Sequence, residues 1–347
     1  MTRKQRIIFI LIFILAAVLR LLGAGTREIQ YDDAFSIFLS QQNLSKIIQG
    51  TAADTMPPLY YFALHFWQNL GSDLFTLRLL GILISLAILF LGFDLARRLF
   101  GWPAGLWSAL FIAVSPIQIY HAQDLRMYTL LVLGQVGYFW CFVRLIQDDH
   151  PAFILWVGIV LGGLMAMYSH NLAIFGLVIP NIYLVLKRNW RLLGQIVLAQ
   201  LVIGLFSAPW LVMIPGQVEK IQTAFWTPRP GLIEAFQAII QFTAHLPVKG
   251  LLLPLVAILS AQILILLVLE TWRDRNKEPN LGFVVLIAFG LPILLFLVSY
   301  AIRPVFVARG FLVSSLAYYI LIGRVVARRW RSGIGDFLAG FMIIAAG

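Results

Sequence analysis

Two short stretches of this 347-residue chain carry acidic side chains that could transfer protons. Residues 31–36 read YDDAFS, with Asp32 and Asp33 side by side, and residues 120–128 read YHAQDLRMY, with Asp124 two positions before Arg126. A positioned carboxylate can take a proton from a reacting hydroxyl group. The acidic pair has a plain alternative, because acids near a helix N-terminus stabilise the helix by about 0.3–1 kcal/mol. The residues alone leave both roles open.

The other candidates also have structural alternatives. Asp124 and Arg126 could form an ion pair at the membrane interface and do nothing else. His170, in the stretch YSHN, could be an ordinary polar residue at the end of a membrane span. Arg303 and Arg309 could extend towards lipid headgroups, as long basic side chains often do. Charged groups near membrane depth are costly, however, so each of these residues is a functional candidate.

The chain that positions these residues is strongly apolar. It is 61% hydrophobic and 12% charged, with a mean hydropathy of +0.90, whereas soluble domains are about 25% charged. Apolar runs of about 20 residues recur from end to end, which is typical of a polytopic helical membrane protein. The single cysteine, Cys141, excludes an intramolecular disulfide and a cysteine-built metal site.

We therefore expect an all-α protein that forms one transmembrane domain over residues 1–347. About eleven transmembrane helices are predicted, near residues 7–24, 79–96, 103–120, 127–143, 152–168, 171–186, 193–213, 250–269, 281–300, 305–323 and 334–347. The first run follows basic residues, as in a signal peptide, but no small-residue cleavage pattern stands out, so we expect an uncleaved span.

Basic residues collect in alternate gaps between these spans. One set of gaps holds 16 of the 26 lysines and arginines, and the positive-inside rule assigns that set to the cytoplasm. The net charge of +11 then reflects membrane topology, and nucleic-acid binding is not expected. The opposite gaps, which hold all the candidate residues above, are predicted to face outside the cell membrane.

The first outer loop, residues 25–78, is predicted to carry two interfacial helices. Residues 34–49 have an amphipathic pattern. Residues 56–70 are apolar but too short to span, since a spanning helix needs about 20 residues. If that stretch crossed the membrane, every later basic cluster would also be inverted. Asp32 and Asp33 are therefore expected on the outer face, close to the membrane.

Several segments in this order resemble one enzyme family. YDDAFS after the first span, PPLYYFAL later in the same loop, RLLGILISLAILFLGFDLARRLFG and SPIQIYHAQDLRMYTLL are similar to family 39 glycosyltransferases of the C-type fold. That family includes protein O-mannosyltransferases and the lipid A aminoarabinose transferase. YSHNLAIF and RPVFVARGFL resemble later family segments. The family motif is usually Asp-Glu where this chain has Asp32–Asp33.

The resemblance implies a membrane glycosyltransferase of the cell envelope. Its donor would be a polyprenyl-phosphate-linked sugar, either a hexose or a pentose, and its acceptor a protein, lipid or glycan on the outer face. No nucleotide is expected, and a divalent cation is left open. Asp32 would be the general base of an inverting transfer, with Asp33 and Asp124 orienting the acceptor or a neighbouring cation. The implied ligands of the lipid phosphate are Arg126, His170, Arg303 and Arg309.

Other possibilities remain at this point. A lipid or solute transporter or flippase would also be polytopic, although transporters usually show mid-span charges and paired repeats. The sugar, the acceptor and the oligomeric state are not encoded in any recognisable motif, and the variable fourth outer loop, about 214–248, is where acceptor choice is expected. Family members often run longer, and this sequence ends at FMIIAAG inside a further apolar run, so a C-terminal truncation is left open.

Overall fold

The computed structural model describes residues 2–54, 56–217, 229–244, 252–301, 304–330 and 332–344. These residues form helices joined by short turns, and no strand occurs among them. The prediction of an all-α polytopic protein is confirmed. Residues 218–228 and 245–248 of the predicted fourth outer loop lie outside the described residues.

The described helices follow the predicted order closely. In chain order they are α1 Arg3–Leu21, α2 Tyr31–Ser40, α3 Leu44–Asp54, α4 Leu59–Trp67, α5 Leu74–Phe100, α6 Trp102–Val114, α7 Pro116–Ala122, α8 Tyr128–Gln147, α9 Phe153–Met167, α10 Ala173–Leu177, α11 Ile179–Leu186, α12 Trp190–Leu211, α13 Leu232–Thr243, α14 Leu252–Asp274, α15 Leu281–Val285, α16 Leu291–Ala301, α17 Leu312–Arg329 and α18 Gly333–Ile344. A π-helical turn, Leu286–Gly290, joins α15 to α16, and a 3₁₀ turn, Ala308–Phe311, precedes α17.

Six helical segments among the described residues are long and apolar enough to cross a membrane. They are α5, α8, α12, α14, the continuous segment Leu281–Ala301, and Arg309–Arg329. The count becomes seven if α6 and α7, which meet at a bend of 59°, form one broken span. The predicted number of about eleven spans is not confirmed, because helices such as α9 have only 15 residues where about 20 are needed.

The first loop contains three short helices where the sequence predicted two. The predicted helix over 34–49 is broken between Ser40 and Leu44. The cause is Asn43, whose side-chain oxygen accepts the backbone N–H of Lys46 at 2.9 Å and so starts a new helix. The predicted helix at 56–70 is shorter, with α4 beginning directly after Pro58.

These short helices share a small apolar core of their own. Leu39 of α2, Ile47 of α3 and Tyr61 of α4 are buried against one another. Phe35 also packs edge-on against Tyr61, with the ring centroids 6.2 Å apart. This packing gives the first loop a defined shape and places the hydroxyl of Tyr61 at its inner side.

The contacts divide the chain into two compact units, each made of separate segments. One unit comprises residues 20–88 and 121–228 and contains the acidic stretches. Within it, α8 and α9 touch through glycines: a Cβ added at Gly134 would lie 2.8 Å from the carbonyl oxygen of Gly162. Small residues let membrane helices approach this closely, so α8 and α9 pack directly against each other.

The other unit comprises residues 1–19, 89–120 and 229–347. Its central helix is α17, whose membrane-length window is 94% buried. At the end of α17, Arg324 donates to Asp274 of α14 at 2.7 Å, and both side chains are almost fully buried. Arg328 and Glu278 extend this ion-pair network towards solvent. The network fastens the ends of α14 and α17 together.

Candidate active site

The segment between α7 and α8 carries Asp124 and Arg126 and is fixed by contacts to distant parts of its unit. The side-chain amide of Gln123 donates to the carbonyl oxygens of Arg20 at 3.0 Å and Leu22 at 2.7 Å. The segment also lies against α5, where a Cβ at Gly81 would come 2.6 Å from the carbonyl oxygen of Ala122. These contacts hold the segment close to the start of the first loop.

Asp33 lies inside this junction and not in solvent. Its side chain is 2% exposed, and its Oδ1 accepts the backbone N–H of Leu125 at 3.0 Å. Its Oδ2 accepts the N–H of Gln30 at 3.4 Å, a contact that caps the start of α2. Burial raises the pKa of Asp33, although the Leu125 hydrogen bond acts in the opposite direction. Asp33 therefore joins the first loop to the segment that carries Asp124.

Arg78 supports the same junction from α5. Its guanidinium is fully buried and donates to the carbonyl oxygens of Ala24 at 2.9 Å and Arg27 at 2.8 Å. One of its nitrogens also lies 3.7 Å from Oδ2 of Asp33. Arg78 thus fixes the chain that leads from α1 to α2, and with it the position of the acidic pair.

Asp32 faces the opposite way from its neighbour. Its side chain is 41% exposed, and its Oδ2 lies 3.8 Å from Nε of Arg126. The first turn of α2 accounts for this difference, because successive helical residues point about 100° apart. The adjacent carboxylates therefore have different surroundings: Asp33 is anchored by backbone donors, whereas Asp32 is accessible and lies beside a cation.

Arg126 is a buried cation with spare hydrogen-bonding capacity. Its side chain is 8% exposed, and its Nη1 donates to the hydroxyl of Tyr61 at 3.3 Å. Its Nε has no hydrogen-bond partner among the described residues, and neither does the buried hydroxyl of Tyr60. Burial by itself lowers the pKa of Arg126, but nearby tyrosines and acids, including Tyr61, outweigh it and raise that pKa. A guanidinium in this state is suited to an anionic ligand.

Asp54, at the end of α3, is a third carboxyl group in this region. Desolvation raises its pKa, the charge of Arg126 lowers it, and the charge of Asp32 raises it. Asp54 and Asp32 therefore both act electrostatically on the same guanidinium. The sequence alone gave no reason to assign Asp54 a role.

Asp124 is buried and held by two basic side chains. Its Oδ1 accepts from Nη2 of Arg27 at 2.7 Å, and its Oδ2 accepts from Nδ1 of His121 at 2.7 Å. Burial alone would raise the pKa of Asp124, but the hydrogen bonds and charges of His121 and Arg27 lower it. Asp124 does not pair with Arg126, which was the alternative left open by the sequence. The partners of Asp124 are Arg27 and His121.

His170 lies in the turn after α9, on the same side of the unit as Tyr128. The two ring centroids are 5.9 Å apart. Its Nδ1 accepts the backbone N–H of Leu172 at 3.0 Å, so the neutral ring carries its proton on Nε2. The turn is held by Leu59, whose N–H donates to the carbonyl oxygen of Tyr168 at 3.1 Å. His170 can therefore present a donor near the Tyr128 ring.

The two late arginines cannot be added to this cluster. Arg309 is half-buried in the 3₁₀ turn that precedes α17 and belongs to the other unit. Arg303 lies outside the described residues. Their predicted role at the phosphate stays a prediction.

The carboxylates assigned to orient a neighbouring cation do not fit a metal ion in this arrangement. Both oxygens of Asp124 are used by Arg27 and His121, and both oxygens of Asp33 accept backbone N–H groups. The described residues contain no group of three or more histidine, cysteine or carboxylate ligands. The positive charges around these acids come from arginine side chains.

Sequence reasoning missed the supporting residues of this site. Arg27 and Arg78 reach the acids from positions 97 and 45 residues away in the chain, and no local pattern indicates such contacts. The contributions of His121 and Tyr61 could have been predicted in part from the sequence. His121 is three residues before Asp124, a spacing that brings side chains together on one turn.

Comparisons with known proteins agree with this architecture. Residues 55–213 match the family model described as dolichyl-phosphate-mannose-protein mannosyltransferase. A crystal structure of ArnT from Cupriavidus metallidurans bound to undecaprenyl phosphate is similar, with a TM-score of 0.71 and 16% identity. That alignment covers 97% of this chain and 63% of the ArnT chain. The chain has the C-type glycosyltransferase fold.

Two further structures support the same fold. Apo ArnT from the same organism aligns with a TM-score of 0.68 and 17% identity, over 95% of this chain and 62% of that one. The apo oligosaccharyltransferase of Archaeoglobus fulgidus aligns with a TM-score of 0.58 and 12% identity, over 99% of this chain and 56% of that one. No curated protein sequence matches. The resemblance found in the sequence is confirmed, and the chain spans less than two thirds of each of these relatives.

Proposed function

We propose that this protein is a membrane glycosyltransferase that moves a hexosyl or pentosyl group from a polyprenyl-phosphate donor to an acceptor hydroxyl. One observation carries the proposal: the exposed carboxylate of Asp32 lies 3.8 Å from the buried, incompletely bonded guanidinium of Arg126. A base and an anion-binding group side by side are what transfer from a sugar phosphate needs. The fold and the ligand named for the ArnT structure support the choice of a lipid phosphate.

In this proposal Arg126 binds the phosphate of the donor. Its unpartnered Nε and its Nη groups form a planar fork that matches two phosphate oxygens. Leaving such a buried donor unsatisfied costs roughly 1–3 kcal/mol, and a bound phosphate would recover that free energy. In this proposal His170, whose neutral ring carries a proton on Nε2, adds a further hydrogen bond to the phosphate. Its ring lies beside the ring of Tyr128.

Asp32 acts as the general base. It takes the proton of the acceptor hydroxyl while the acceptor oxygen attacks the anomeric carbon opposite the phosphate, which inverts that carbon. A positioned base typically contributes 10²–10⁴-fold. Asp33 holds α2 against Leu125 and so keeps Asp32 near Arg126.

The acceptor is a protein, lipid or glycan, and the reaction takes place on the outer face of the cell membrane. A topology experiment tests the side. A cysteine at Tyr31, which is 86% exposed at the start of α2, should react with an impermeant thiol reagent in intact cells, and a cysteine at Asp149 should not. Cys141 is buried, so the unmodified chain provides the background. The opposite labelling pattern would place the site in the cytoplasm.

The activity test is transfer of radiolabelled sugar from polyprenyl-phosphate donors by the purified protein in lipid nanodiscs. A transporter or flippase would move the lipid or solute without forming a new glycosidic bond. Sugar transfer that occurs with wild type and is lost in the Asp32→Asn variant would support the proposal. Lipid movement without product from any donor in a panel of hexosyl and pentosyl phosphates would contradict it.

A further inference from the structure

Asp124 is not expected to exchange a proton with a substrate, because both of its oxygens accept hydrogen bonds from other side chains. Oδ1 accepts from Arg27 and Oδ2 accepts from His121, both at 2.7 Å, and the side chain is 10% exposed. A carboxylate that accepts hydrogen bonds from an arginine and a histidine is a weak base. Asp124 instead acts on the imidazole of His121, to which it is hydrogen-bonded.

His121 is oriented by this contact. A carboxylate only accepts hydrogen bonds, so Nδ1 of His121 carries a proton and donates it towards Asp124. The Nε2 edge is therefore the reactive edge of the ring. This arrangement, in which a buried carboxylate orients a histidine and stabilises its protonated form, supports acid–base catalysis in other enzymes.

The position of the ring relates it to the proposed phosphate site. The His121 ring packs edge-on against Tyr128, with centroids 5.5 Å apart, and Tyr128 in turn lies against His170. Tyr128 and Arg126 also interact electrostatically. One tyrosine ring thus joins both histidines to the arginine that is proposed to bind the phosphate.

We propose that His121, positioned by Asp124, donates a proton from Nε2 to the phosphate leaving group. His121 is then a catalytic residue and Asp124 a positioning residue. This inference rests on the proposed function, and it replaces the predicted role of Asp124, which was to orient the acceptor or a neighbouring cation.

The step balances as follows. The acceptor oxygen forms a bond to the anomeric carbon, and its proton goes to Asp32. The bond between the anomeric carbon and the phosphate oxygen breaks, and its electron pair stays on that oxygen. Nε2 of His121 gives its proton to the same oxygen, so the lipid monophosphate leaves with one negative charge. Solvent then returns a proton to His121 and removes one from Asp32.

The proton donor works among several other charged groups. Asp124 is hydrogen-bonded to the imidazole, and Arg27 is paired with the other oxygen of Asp124. Tyr128 packs on the ring, and Asp33 and Arg78 interact with Asp124 through space. A change in pH dependence is therefore assigned to His121 from the His121→Gln variant, which leaves these groups in place.

The main variant is His121→Gln, which can keep a hydrogen bond to Asp124 but cannot carry a proton. Its matched control is His65→Gln, since His65 is also part-buried, with Nδ1 bonded to the carbonyl oxygen of Ser40 at 2.8 Å. The first probe is undecaprenyl phosphate, whose affinity for each nanodisc-embedded protein is measured from pH 5.5 to 8.5. The second is the rate of sugar transfer over the same range.

We expect wild type and His65→Gln to bind undecaprenyl phosphate more weakly as pH rises through the neutral range. His121→Gln should bind about ten-fold more weakly at the acidic end, as for a lost hydrogen bond to a charged group. The gap between it and wild type should close at the alkaline end. The transfer rate of His121→Gln should be lower than that of wild type by at most about 10²-fold, which lies at the low end of the range for an acid catalyst. This rate should also lack the decline at alkaline pH. The lipid phosphate itself titrates near pH 6, which affects all variants equally.

Asp124→Asn keeps the imidazole and serves as a second variant if His121→Gln folds poorly. It should lower the transfer rate, because the ring loses the carboxylate that fixes the orientation of its Nε2 edge. If His121→Gln keeps the wild-type pH dependence of binding and rate, or if Asp124→Asn keeps the wild-type transfer rate, His121 is structural and the inference is wrong. If wild type does not bind undecaprenyl phosphate at all, the proposed function itself fails, which is a different result.

Discussion

The adjacent acids Asp32 and Asp33 should respond in opposite ways to the same change. Substitution by asparagine keeps the shape of each side chain and removes its charge. Asp32 is 41% exposed and lies 3.8 Å from Nε of Arg126, and an ion pair with a solvent-exposed member stabilises a protein by about 0–1 kcal/mol. Asp32→Asn should therefore leave the thermal midpoint almost unchanged. Loss of a general base should lower the transfer rate by about 10²–10⁴-fold.

Asp33→Asn should chiefly affect stability. The carboxylate accepts the N–H groups of both Leu125 and Gln30, and an asparagine side chain has only one oxygen to accept them. One buried N–H is then left unsatisfied, at a cost of about 1–3 kcal/mol. The cost should not be larger, because burial already raises the pKa of Asp33 and removing its charge relieves part of that desolvation.

The assay compares both variants in the same nanodiscs, with thermal unfolding followed by tryptophan fluorescence and transfer followed with a radiolabelled donor. Ser36→Ala, on the same helix, serves as a control for small changes in α2. The reasoning is refuted if Asp32→Asn retains more than about a tenth of the wild-type rate, given the effect expected of a base. It is also refuted if Asp33→Asn matches wild type in thermal midpoint.

Three further results are expected from the same site. Arg126→Lys should weaken binding of undecaprenyl phosphate more than Tyr61→Phe does, since a point charge replaces a planar fork; equal binding by the lysine variant in a flotation assay would count against a phosphate role. Gly81→Ala should lower the transfer rate and the thermal midpoint together, because its Cβ would lie 2.6 Å from the carbonyl oxygen of Ala122, whereas Gly137→Ala, where nothing lies within 4 Å, should not. The pKa of Asp124 is lowered from its ordinary value of 3.8, so its ionised form stabilises the fold above that value. This stabilisation should be lost as pH falls below about 4, and Asp124→Asn should flatten that acid limb in a melting series.

Much of the fold could be predicted from composition and charge. A run of apolar residues reports a membrane helix directly, and alternating basic clusters report its orientation. The break at Asn43 was missed because the amphipathic pattern of 34–49 continues across it, although asparagine followed by a helical run is itself a start signal. The number of spans could not be settled, since helices such as α9 are shorter than the bilayer requires.

The site was predictable only in part. The resemblance to a family indicated Asp32 and Arg126, which lie 3.8 Å apart, and their roles stay predictions. The partner of Asp33 could not be predicted, because the N–H of Leu125 lies 92 residues away in the chain. The pairing of Arg27 with Asp124 is likewise a product of tertiary packing. Residue types reveal which groups can do chemistry, but long-range contacts decide which of two neighbouring carboxylates is buried and which is accessible to solvent.

The ion pair between Asp274 and Arg324 constrains how the protein is made. The two residues are 50 positions apart, so at about 5–20 residues per second the arginine is synthesised roughly 3–10 seconds after its partner. During that interval α14 ends in a carboxylate without its main counter-charge, and such a group resists entry into lipid. We therefore expect α14 to reach its final position only after α17 has emerged from the ribosome. On this expectation, a bond that fastens two helices in the finished protein would also set the order in which they complete their insertion.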